Sequence, residues 1–445
     1  MNCFSIWGRL LLLGAIPAVL SADSRLILKT QPDKLASVLA RYNLKDIREI
    51  ASGSGETSHV VSSASSITAS QLAAVTRNDS DVRSIEADSD LEIEESRRIL
   101  PLPASTAAIP GCAYDNTPIP FFSTLVRSGY VQQPANAVVG VSAAHAIGIT
   151  GAGIVAIIDT GVDPFHPALR TSLLPGYDFT RDLPGVANDW LDLPPAVAGG
   201  LAQSTVAILD TGRPTALLNQ STVAILDQST VAILDQLRAY QSFGHGTMVA
   251  GLIHLVAPTA KILPLKAFRA DGGAKLSDIA RAIRYAVDHN AAVINLSFSM
   301  TSNSAELSDA LLYAKSKKVI VVASAGNAGR ESAAYPASSS GVIGVGSVNL
   351  ADLRSYFSNY ESNAKTSAPG EALLTTYPGA RYAAVWGTSF SAALVSGAIA
   401  LFEQVNKSLD PGKAKDALNK GKVIRQEMGD ARLDLTRTLQ YLTSH

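Results

Sequence analysis

The sequence predicts a doubly wound parallel α/β domain, preceded by a small α+β domain of the ferredoxin-like type. From residue 151 onwards, continuous apolar runs of strand length alternate with stretches of helical pattern, as in a parallel sheet that is covered on both faces. The first hundred residues instead carry the order βαββαβ, a split βαβ arrangement that forms a two-layer unit. Together these two patterns indicate a globular chain with a large and a small domain.

The composition agrees with this size and class. Of 445 residues, 47% are hydrophobic and 17% are charged, and the formal net charge is −1. Such a chain has enough apolar surface for a large core, and neither charge is in the excess that would indicate a nucleic-acid or membrane-surface partner. We therefore expect a monomer whose partners are selected by a specific site.

The N-terminus has the pattern of a signal peptide. Arg9 precedes an apolar run over residues 10–20, which is too short to span a bilayer and is followed by small residues. We expect residues 1–22 to be removed on export to the periplasm or the medium; the alternative is an anchor that stays attached. Cys3 would leave with this segment, so that Cys112 would have no internal disulfide partner.

Residues 23–95 supply the small domain. Its signals are, in order, RLILKT, a helical run from Pro32 to Arg41, LKDIREI, HVVSS, a helical run from Thr68 to Val75, and DVRSIEAD. The domain ends in an acidic tail at residues 86–95, and a Pro-rich stretch follows at about 100–120. We interpret residues 96–137 as a linker and maturation region. Residues 23–95 could also be an independent binding domain.

The strand signals of the large domain end in polar residues. The strands are IVAIID, AKILPLKAF, AAVINLSF, KVIVVASAG and GVIGVGSV, with helical patterns at 277–289 and 305–317. Because the carboxyl ends of parallel strands meet at one edge of a sheet, Asp159, Ser297 and Asn327 should lie close together. The glycine-rich turn at 151–153 precedes its strand, which argues against a dinucleotide-binding fingerprint.

Ser389 is the candidate nucleophile. It follows Gly387 and Thr388, and the small and apolar residues after it predict a buried helix that begins beside it. Backbone N–H groups and the positive end of the helix dipole would suit an oxyanion there, although an ordinary N-cap has the same pattern. The motif is not the nucleophile elbow of α/β-hydrolases, because Ser391 stands where that motif needs its second glycine.

Three other residues are candidates for acyl-transfer chemistry with this serine. His245 lies between two glycines, and it could act as general base if Asp159 held its other ring nitrogen. Asn327 directly follows a buried strand and could donate its amide to an oxyanion without titrating. A turn asparagine would have the same surroundings.

The octapeptide QSTVAILD occurs three times, at 203–210, 220–227 and 228–235. Asp210 ends the first copy and precedes Thr-Gly, as Asp159 does, and it is nearer His245 in the sequence. It lacks the Pro-Phe-His-Pro turn that follows Asp159, so we favour Asp159. We interpret the copies as part of an insertion at about 183–241 whose apolar strands pair with each other.

Taken together, four motifs resemble the signatures of the subtilisin-like serine proteases, in that family's order Asp, His, Asn, Ser. They are Asp159-Thr160-Gly161, His245-Gly246-Thr247, Ser324-Ala325-Gly326-Asn327 and Gly387-Thr388-Ser389. The resemblance covers residues 138–445. It implies a secreted endopeptidase that acts on polypeptides without a cofactor in its chemistry, with Asp159, His245 and Ser389 as the triad and Asn327 at the oxyanion hole.

The same resemblance extends to the small domain. Residues 23–95 are similar to the family's inhibitory propeptide, which implies a zymogen whose propeptide assists folding, inhibits the enzyme and is then cut off within the linker. Two other functions remain open for the chain. One is an inactive relative that binds peptides in the same cleft, and the other is the sedolisin type, against which His245 and Asn327 argue.

The resemblance also implies two walls for the substrate cleft. Ser297, Phe298 and Ser299 would form one wall, and Ser324, Ala325 and Gly326 the other. The family usually has two glycines where this chain has Ser299 and Met300. We therefore expect Ser299 to narrow the S1 pocket and to favour small P1 residues.

Structural calcium is also possible by analogy with the family. Three aspartates of the insertion region are candidates for it, namely Asp182, Asp189 and Asp192.

Overall fold

The computed structural model describes residues 24–53, 55–63, 67–93, 110–203, 223–225, 239–331, 333–361 and 364–444. The expected signal segment and Asp210 lie outside these residues. The described residues form two compact units, one within 1–49 and 54–87 and the other within 50–53 and 88–445.

The first unit has the βαββαβ order that the sequence predicts. Its elements are β1 (Ser24–Thr30), α1 (Leu35–Arg41), β2 (Leu44–Gly53), β3 (Glu56–Ser63), α2 (Ala69–Thr76) and β4 (Val82–Ala87). The sheet has the order β2-β3-β1-β4, and β1 is antiparallel to both of its neighbours. Leu26 and Leu28 of β1 point to the same face and pack with Val38 of α1 and Leu72 of α2. This packing gives the unit a core of its own.

The second unit contains an eight-stranded sheet in the order β10-β9-β12-β8-β14-β15-β16-β17. All neighbours are parallel except β10 and β9, which form an antiparallel edge. The strands of this unit are β5 (Asp90–Glu92), β6 (Pro118–Phe121), β7 (Thr124–Arg127), β8 (Ile154–Asp159), β9 (Tyr177–Asp178), β10 (Leu183–Pro184), β11 (Val223–Ile225), β12 (Lys261–Lys266), β13 (Gly273–Lys275), β14 (Val293–Leu296), β15 (Ile320–Ser324), β16 (Val342–Val348), β17 (Thr366–Pro369), β18 (Leu373–Tyr377) and β19 (Arg381–Val385).

Helices cover both faces of this sheet, as the continuous apolar strands predicted. They are α3 (Ser128–Val131), α4 (Pro134–Val139), α5 (Val141–Ala146), α6 (Pro195–Gln203), α7 (His245–Val256), α8 (Leu276–Asp288), α9 (Ala305–Ser316), α10 (Thr388–Val405), α11 (Pro411–Leu418) and α12 (Leu435–Ser444). Val155 and Ile157 of β8 share a core with α7 and α10. Ala156 and Ile158 are equally buried, and the alternation of a strand places them on the opposite face.

Helix α10 is embedded in this core, with every residue from Thr388 to Phe402 buried. Among the described residues it is the one helix long and apolar enough to cross a membrane, and 83% of that window is buried inside the protein. Its neighbours α7, β14, β15 and β16 explain the burial. The helix that begins beside Ser389 is therefore a core helix, as predicted from its small and apolar residues.

The linker prediction for residues 96–137 is too long at its C-terminal end. From residue 110 the chain forms a 3-10 turn (Gly111–Tyr114), the β6–β7 hairpin and α3, all within the second unit. Phe121 and Tyr130 are buried in the main core, and the Tyr130 hydroxyl donates to the Gly251 carbonyl of α7 at 2.6 Å. Because these two aromatic side chains are buried in the core, the segment is part of the folded unit, although its prolines suggested a linker.

The acidic tail is likewise structured at its start. Residues 90–92 form β5, which pairs antiparallel with β13 in the second unit. Leu91 and Ile93 are buried on alternate positions, whereas Asp90 and Glu92 are exposed. The acidic residues of this segment suggested an unstructured tail, but the alternation of buried and exposed positions is that of a strand.

The repeat prediction is wrong for the copy at 220–227. Val223–Ile225 form β11, which pairs antiparallel with residues 383–385 of β19 and not with another copy. The unpaired N–H and C=O groups of an edge strand can hydrogen-bond with any extended segment. Strand β19 can therefore pair with β11 as well as another copy of the octapeptide could. The copies at 203–210 and 228–235 lie outside the described residues, apart from Gln203 at the end of α6.

Candidate active site

Asp159 and His245 come together although they are far apart in the sequence. Asp159 is the last residue of β8 and His245 is the first residue of α7. The Nδ1 atom of His245 lies 2.8 Å from Oδ1 and 3.0 Å from Oδ2 of Asp159, and both side chains are almost completely buried. A carboxylate accepting from Nδ1–H fixes the ring orientation and leaves Nε2 as the basic nitrogen.

Glycines on either side of His245 allow its approach to β8. Gly244 has a left-handed φ of 84°, and a Cβ atom there would lie 2.7 Å from Cδ of Pro378. A Cβ atom on Gly246 would lie 2.0 Å from the carbonyl oxygen of Gly161. A larger residue at 246 would push α7 away from the loop that carries Asp159, and one at 244 would clash with Pro378 and strain the left-handed backbone.

Ser389 lies in the first turn of α10, directly before a residue that contacts the histidine. The ring of His245 packs against that of the next residue, Phe390, with centroids 5.5 Å apart. The Ser389 hydroxyl donates to the Ser297 carbonyl at 3.3 Å, and the Ser297 hydroxyl donates to the Ser389 carbonyl at 3.2 Å. These contacts join the start of α10 to the carboxyl end of β14, where the sequence analysis placed Ser297.

Asn327 contacts the same helix terminus from the neighbouring strand. Its Oδ1 atom accepts from the backbone N–H and from the hydroxyl of Thr388, each at 2.9 Å. The Thr388 hydroxyl oxygen in turn accepts from the N–H of Gly326 at 3.2 Å. With Oδ1 engaged in this way, the amide nitrogen is the group of Asn327 suited to donate to an anion.

Asn359 is a supporting residue that the sequence analysis missed. Its amide nitrogen donates to the Ala325 carbonyl at 3.0 Å, and its Oδ1 accepts from the N–H groups of Ala328 and Arg330 at 3.1 and 3.3 Å. It therefore holds the loop that carries Asn327. It lies in an irregular segment with no motif around it, so the sequence offered no signal for it.

The expected cleft walls follow two adjacent parallel strands. Ser297 and Phe298 continue β14, and Ser324 ends β15, with the Ser324 hydroxyl donating to the Phe298 carbonyl at 3.4 Å. The Phe298 ring packs on Phe268 with centroids 5.2 Å apart, so this side chain belongs to the core.

The other residues of the two expected walls differ in exposure and conformation. Ser299 is half-buried, Ala325 is fully buried, and Gly326 has a left-handed φ of 96°. The small P1 preference stays a prediction.

The three aspartates considered for calcium have protein partners. Asp182 pairs with Arg281 at 2.6 Å, and Asp192 pairs with both Lys266 and Arg181 at 2.6 Å. Asp189 accepts from two threonine hydroxyls. Over the described part of the chain, no group of three or more His, Cys, Asp or Glu residues is placed to hold a metal ion. Calcium binding stays a prediction.

Burial raises the pKa of the Asp189 carboxyl to about 7, against the opposing effects of the Thr247 hydroxyl, Lys266 and the Thr160 hydroxyl. An unfolded chain has a carboxyl pKa of about 3.9. Between these values the folded chain holds a proton that the unfolded chain has lost. This contribution to stability is therefore complete below pH ~4 and is lost as the pH rises through about 7.

We predict that Asp189→Asn, which cannot ionise, removes this pH dependence. The two chains would be compared by urea unfolding in a Ser389→Ala background, which lacks the candidate nucleophile. Relative to the Asn variant, the free energy of unfolding of the Asp189 chain should fall by about 2–3 kcal/mol from pH 5 to pH 8. Parallel pH profiles for the two chains would contradict this prediction.

The sequence of this chain is similar to a known protein family and to individual serine proteases. The sequence profile of the Subtilase family matches residues 151–434. The chain is 35% identical over 247 residues to the thermophilic serine proteinase of Bacillus sp. (strain AK1), which covers 56% of this chain and 51% of that protein. It is 39% identical over 174 residues to Subtilisin BL of Lederbergia lenta, covering 37% of this chain and 65% of the relative. The chain thus spans about half to two thirds of the length of these relatives.

A third relative is matched over more of its length. The major intracellular serine protease of Bacillus subtilis (strain 168) is 30% identical over 308 residues, covering 66% of this chain and 80% of that protein.

The architecture has a counterpart among solved structures. The crystal structure of fervidolysin from Fervidobacterium pennivorans, described as a keratinolytic enzyme related to subtilisin, superimposes with a TM-score of 0.66 at 20% identity. The superposition covers 94% of this chain and 61% of that chain. At this identity the likeness establishes the subtilisin-like fold. The profile match extends over more than half of the sequence, and the chain therefore belongs to the subtilase family.

Proposed function

We propose that this chain is a serine endopeptidase in which Ser389 attacks the peptide carbonyl, His245 transfers the proton and Asp159 orients His245. The observation that carries the proposal is the hydrogen bond between His245 Nδ1 and Asp159, formed beside the first turn of α10. A buried histidine held by a carboxylate and set next to a serine is the arrangement that activates a hydroxyl nucleophile.

The reaction proceeds by acyl transfer. As the Ser389 oxygen bonds to the substrate carbonyl carbon, its proton passes to Nε2 of His245. The tetrahedral intermediate collapses when His245 returns this proton to the leaving amine, and the C–N bond breaks. Water, deprotonated by the same nitrogen, then attacks the acyl carbon, the ester C–O bond to Ser389 breaks as His245 returns the proton to the Ser389 oxygen, and the carboxylic acid is released. Asp159 accepts from Nδ1–H and stabilises the imidazolium in both halves.

Negative charge on the substrate oxygen is stabilised by Asn327 and by the N–H of Ser389. The Asn327 amide is oriented by its Oδ1 contacts with Thr388, and the Ser389 N–H lies in the first turn of α10, at the positive end of the helix dipole. Donors placed before the reaction need no reorganisation when the charge develops. This role requires a side chain that donates at every working pH, which an amide does.

We expect Asn327→Ala to lower kcat by about 10²- to 10³-fold with little change in KM, a magnitude taken over from subtilisin itself. The reason is that the lost donor acts on the transition state more than on the bound substrate. Steady-state kinetics on a peptide anilide would measure it, with Asn303→Ala, an asparagine outside the site, as the control. A loss confined to KM would assign Asn327 to substrate binding instead.

The precursor is proposed to be self-inhibited by the segment that ends the small domain. Strand β5 pairs antiparallel with β13 in a two-stranded sheet, and the Ile93 N–H donates to the Gly272 carbonyl at 2.9 Å. The Asp88 carboxylate accepts from the N–H and the hydroxyl of Ser277 at 2.9 and 3.0 Å, which anchors the segment at the start of α8. Backbone pairing of an extended peptide with a strand of its partner is a common mode of peptide recognition. A segment in this place would compete with a substrate strand until it is cut off.

Export is part of the same proposal. The N-terminal pattern of Arg9 and the apolar run at 10–20 supports a signal peptide. An enzyme that is kept inactive by its own propeptide until it leaves the cell avoids digesting the proteins around it. We propose that residues 1–22 are removed during export and that the inhibitory segment is removed afterwards.

The direct test is to express residues 23–445 as wild type and as Ser389→Ala and to follow both by intact mass and by casein hydrolysis. We expect the wild type to lose about its first hundred residues and to digest casein, with inhibition by a serine-directed reagent. The Ser389→Ala chain should stay full length and inert. If both chains are well folded, full length and inert, the protease proposal fails, and peptide binding by an inactive cleft becomes the function to test.

A further inference from the structure

The loops that carry Asp159 and His245 are joined by a third buried side chain. Asp189 begins a 3-10 turn, Asp189–Asp192, and its side chain is almost inaccessible at 1% exposure. Its Oδ1 atom accepts from the Thr160 hydroxyl at 2.7 Å, and its Oδ2 atom accepts from the Thr247 hydroxyl at 2.5 Å. Thr160 directly follows Asp159, and Thr247 is two residues after His245.

The direction of these hydrogen bonds is fixed by the backbone. The Gly246 N–H donates to the Thr160 hydroxyl oxygen at 3.0 Å, and the Asp163 N–H donates to that of Thr247 at 2.8 Å. Each hydroxyl oxygen accepts from an N–H, and a carboxylate oxygen can only accept, so each hydroxyl proton is directed to Asp189. Thr160 thus receives a bond from the histidine loop, and Thr247 receives one from the aspartate loop.

The three segments leave no room for adjustment between them. A Cβ atom on Gly161 would lie 2.9 Å from the backbone nitrogen of Asp189, and one on Gly246 would lie 2.0 Å from the Gly161 carbonyl oxygen. The backbones are therefore in direct contact, and the carboxylate is the common acceptor that holds the two hydroxyls at one separation. A change at Asp189 would act on the spacing of both loops together.

Burying a carboxylate costs free energy, so the buried position of Asp189 needs a physical explanation. Taking an ionisable group out of water is unfavourable, and an apolar residue of similar volume is often no less stable in such a place. Asp189 is therefore difficult to explain by stability alone. Two carboxylate oxygens, each accepting from a threonine hydroxyl close in sequence to Asp159 or His245, are better explained by the need for a fixed geometry.

We infer that Asp189 is a positioning residue for the proposed reaction, acting through Thr160 and Thr247 to set the distance and orientation between Asp159 and His245. The inference rests on the proposed function. It assigns to the insertion region a role in catalysis, because Asp189 lies between β10 and α6, at the start of that region.

Asp178 offers a matched control. It is fully buried, and its Oδ1 atom accepts from the Thr180 hydroxyl at 2.6 Å, as the oxygens of Asp189 accept from threonines. Its other partner is Arg181 at 3.0 Å, and none of these contacts reaches the loops of Asp159 or His245. Asp178→Asn therefore removes a buried, hydroxyl-bonded carboxylate without touching the two loops.

The experiment measures kcat and KM, per active site titrated with a serine-directed inhibitor, for the self-processed wild type, Asp189→Asn, Thr247→Val, Thr247→Ser and Asp178→Asn. At about pH 9, where the Asp189 carboxyl with its pKa of about 7 is ionised and accepts from both hydroxyls, the Asn variant can accept from only one. We therefore expect Asp189→Asn to lower kcat about 10- to 100-fold at this pH with KM changed less than about twofold. Thr247→Val should show the same split. Thr247→Ser, which keeps the hydroxyl, should restore kcat to within about threefold of wild type, and Asp178→Asn should keep it within about twofold.

A purely structural role has a different signature. If Asp189→Asn and Thr247→Val lower the melting temperature but keep kcat per titrated site within about twofold of an active wild type, the inference is overturned. If Asp189→Asn does not fold, the Thr247→Val and Thr247→Ser pair decides the question by the same criterion. A well-folded wild type that hydrolyses no peptide would overturn the proposed function, and this inference with it.

Discussion

The hydrogen bond between His245 and Asp159 depends on nearly every layer of the second unit. Asp159 is held at the end of β8, a central strand paired with β12 on one side and with β14 on the other. His245 is held by α7, which packs against α10, the helix that carries Ser389. The hydrogen bond forms only if the sheet and the helices keep their relative positions. Close packing of the core therefore fixes the distance between Asp159 and His245.

Small residues make this arrangement possible. Gly161 and Gly246 let two loops touch backbone to backbone, and the small residues at the start of α10 let it enter the core. The polar groups at the site are then satisfied by each other, as in the contacts of Asn327 with Thr388 and of Asp189 with two threonines. Close approach removes water, which strengthens these interactions and also makes a missing partner costly.

Much of this fold could be predicted because apolar periodicity and motif residues are local signals. Continuous apolar runs identified the central strands, and the polar residues at their ends identified Asp159, Ser297 and Asn327 as neighbours. The structured segment around Phe121 could not be predicted, because Phe121 is buried against residues that come much later in the chain. Long-range contacts of this kind have no signature in a short window of sequence.

The supporting residues show the same limit. Asp189 was singled out for its charge, and its threonine partners become apparent only when three segments distant in sequence meet. Asn359 carries no motif at all, yet it holds the loop of Asn327. Strand β11 was expected to pair within its repeat and instead pairs with β19, because backbone hydrogen bonding does not depend on sequence identity.

The central claim is that Ser389 is a nucleophile activated by His245. A fluorophosphonate reacts with an activated serine and stays attached, so digestion and mass spectrometry locate the adduct. The account predicts a single adduct on the peptide that contains Ser389, and none in a folded His245→Ala chain. An adduct on another residue, or no adduct on a preparation that hydrolyses casein, would contradict it.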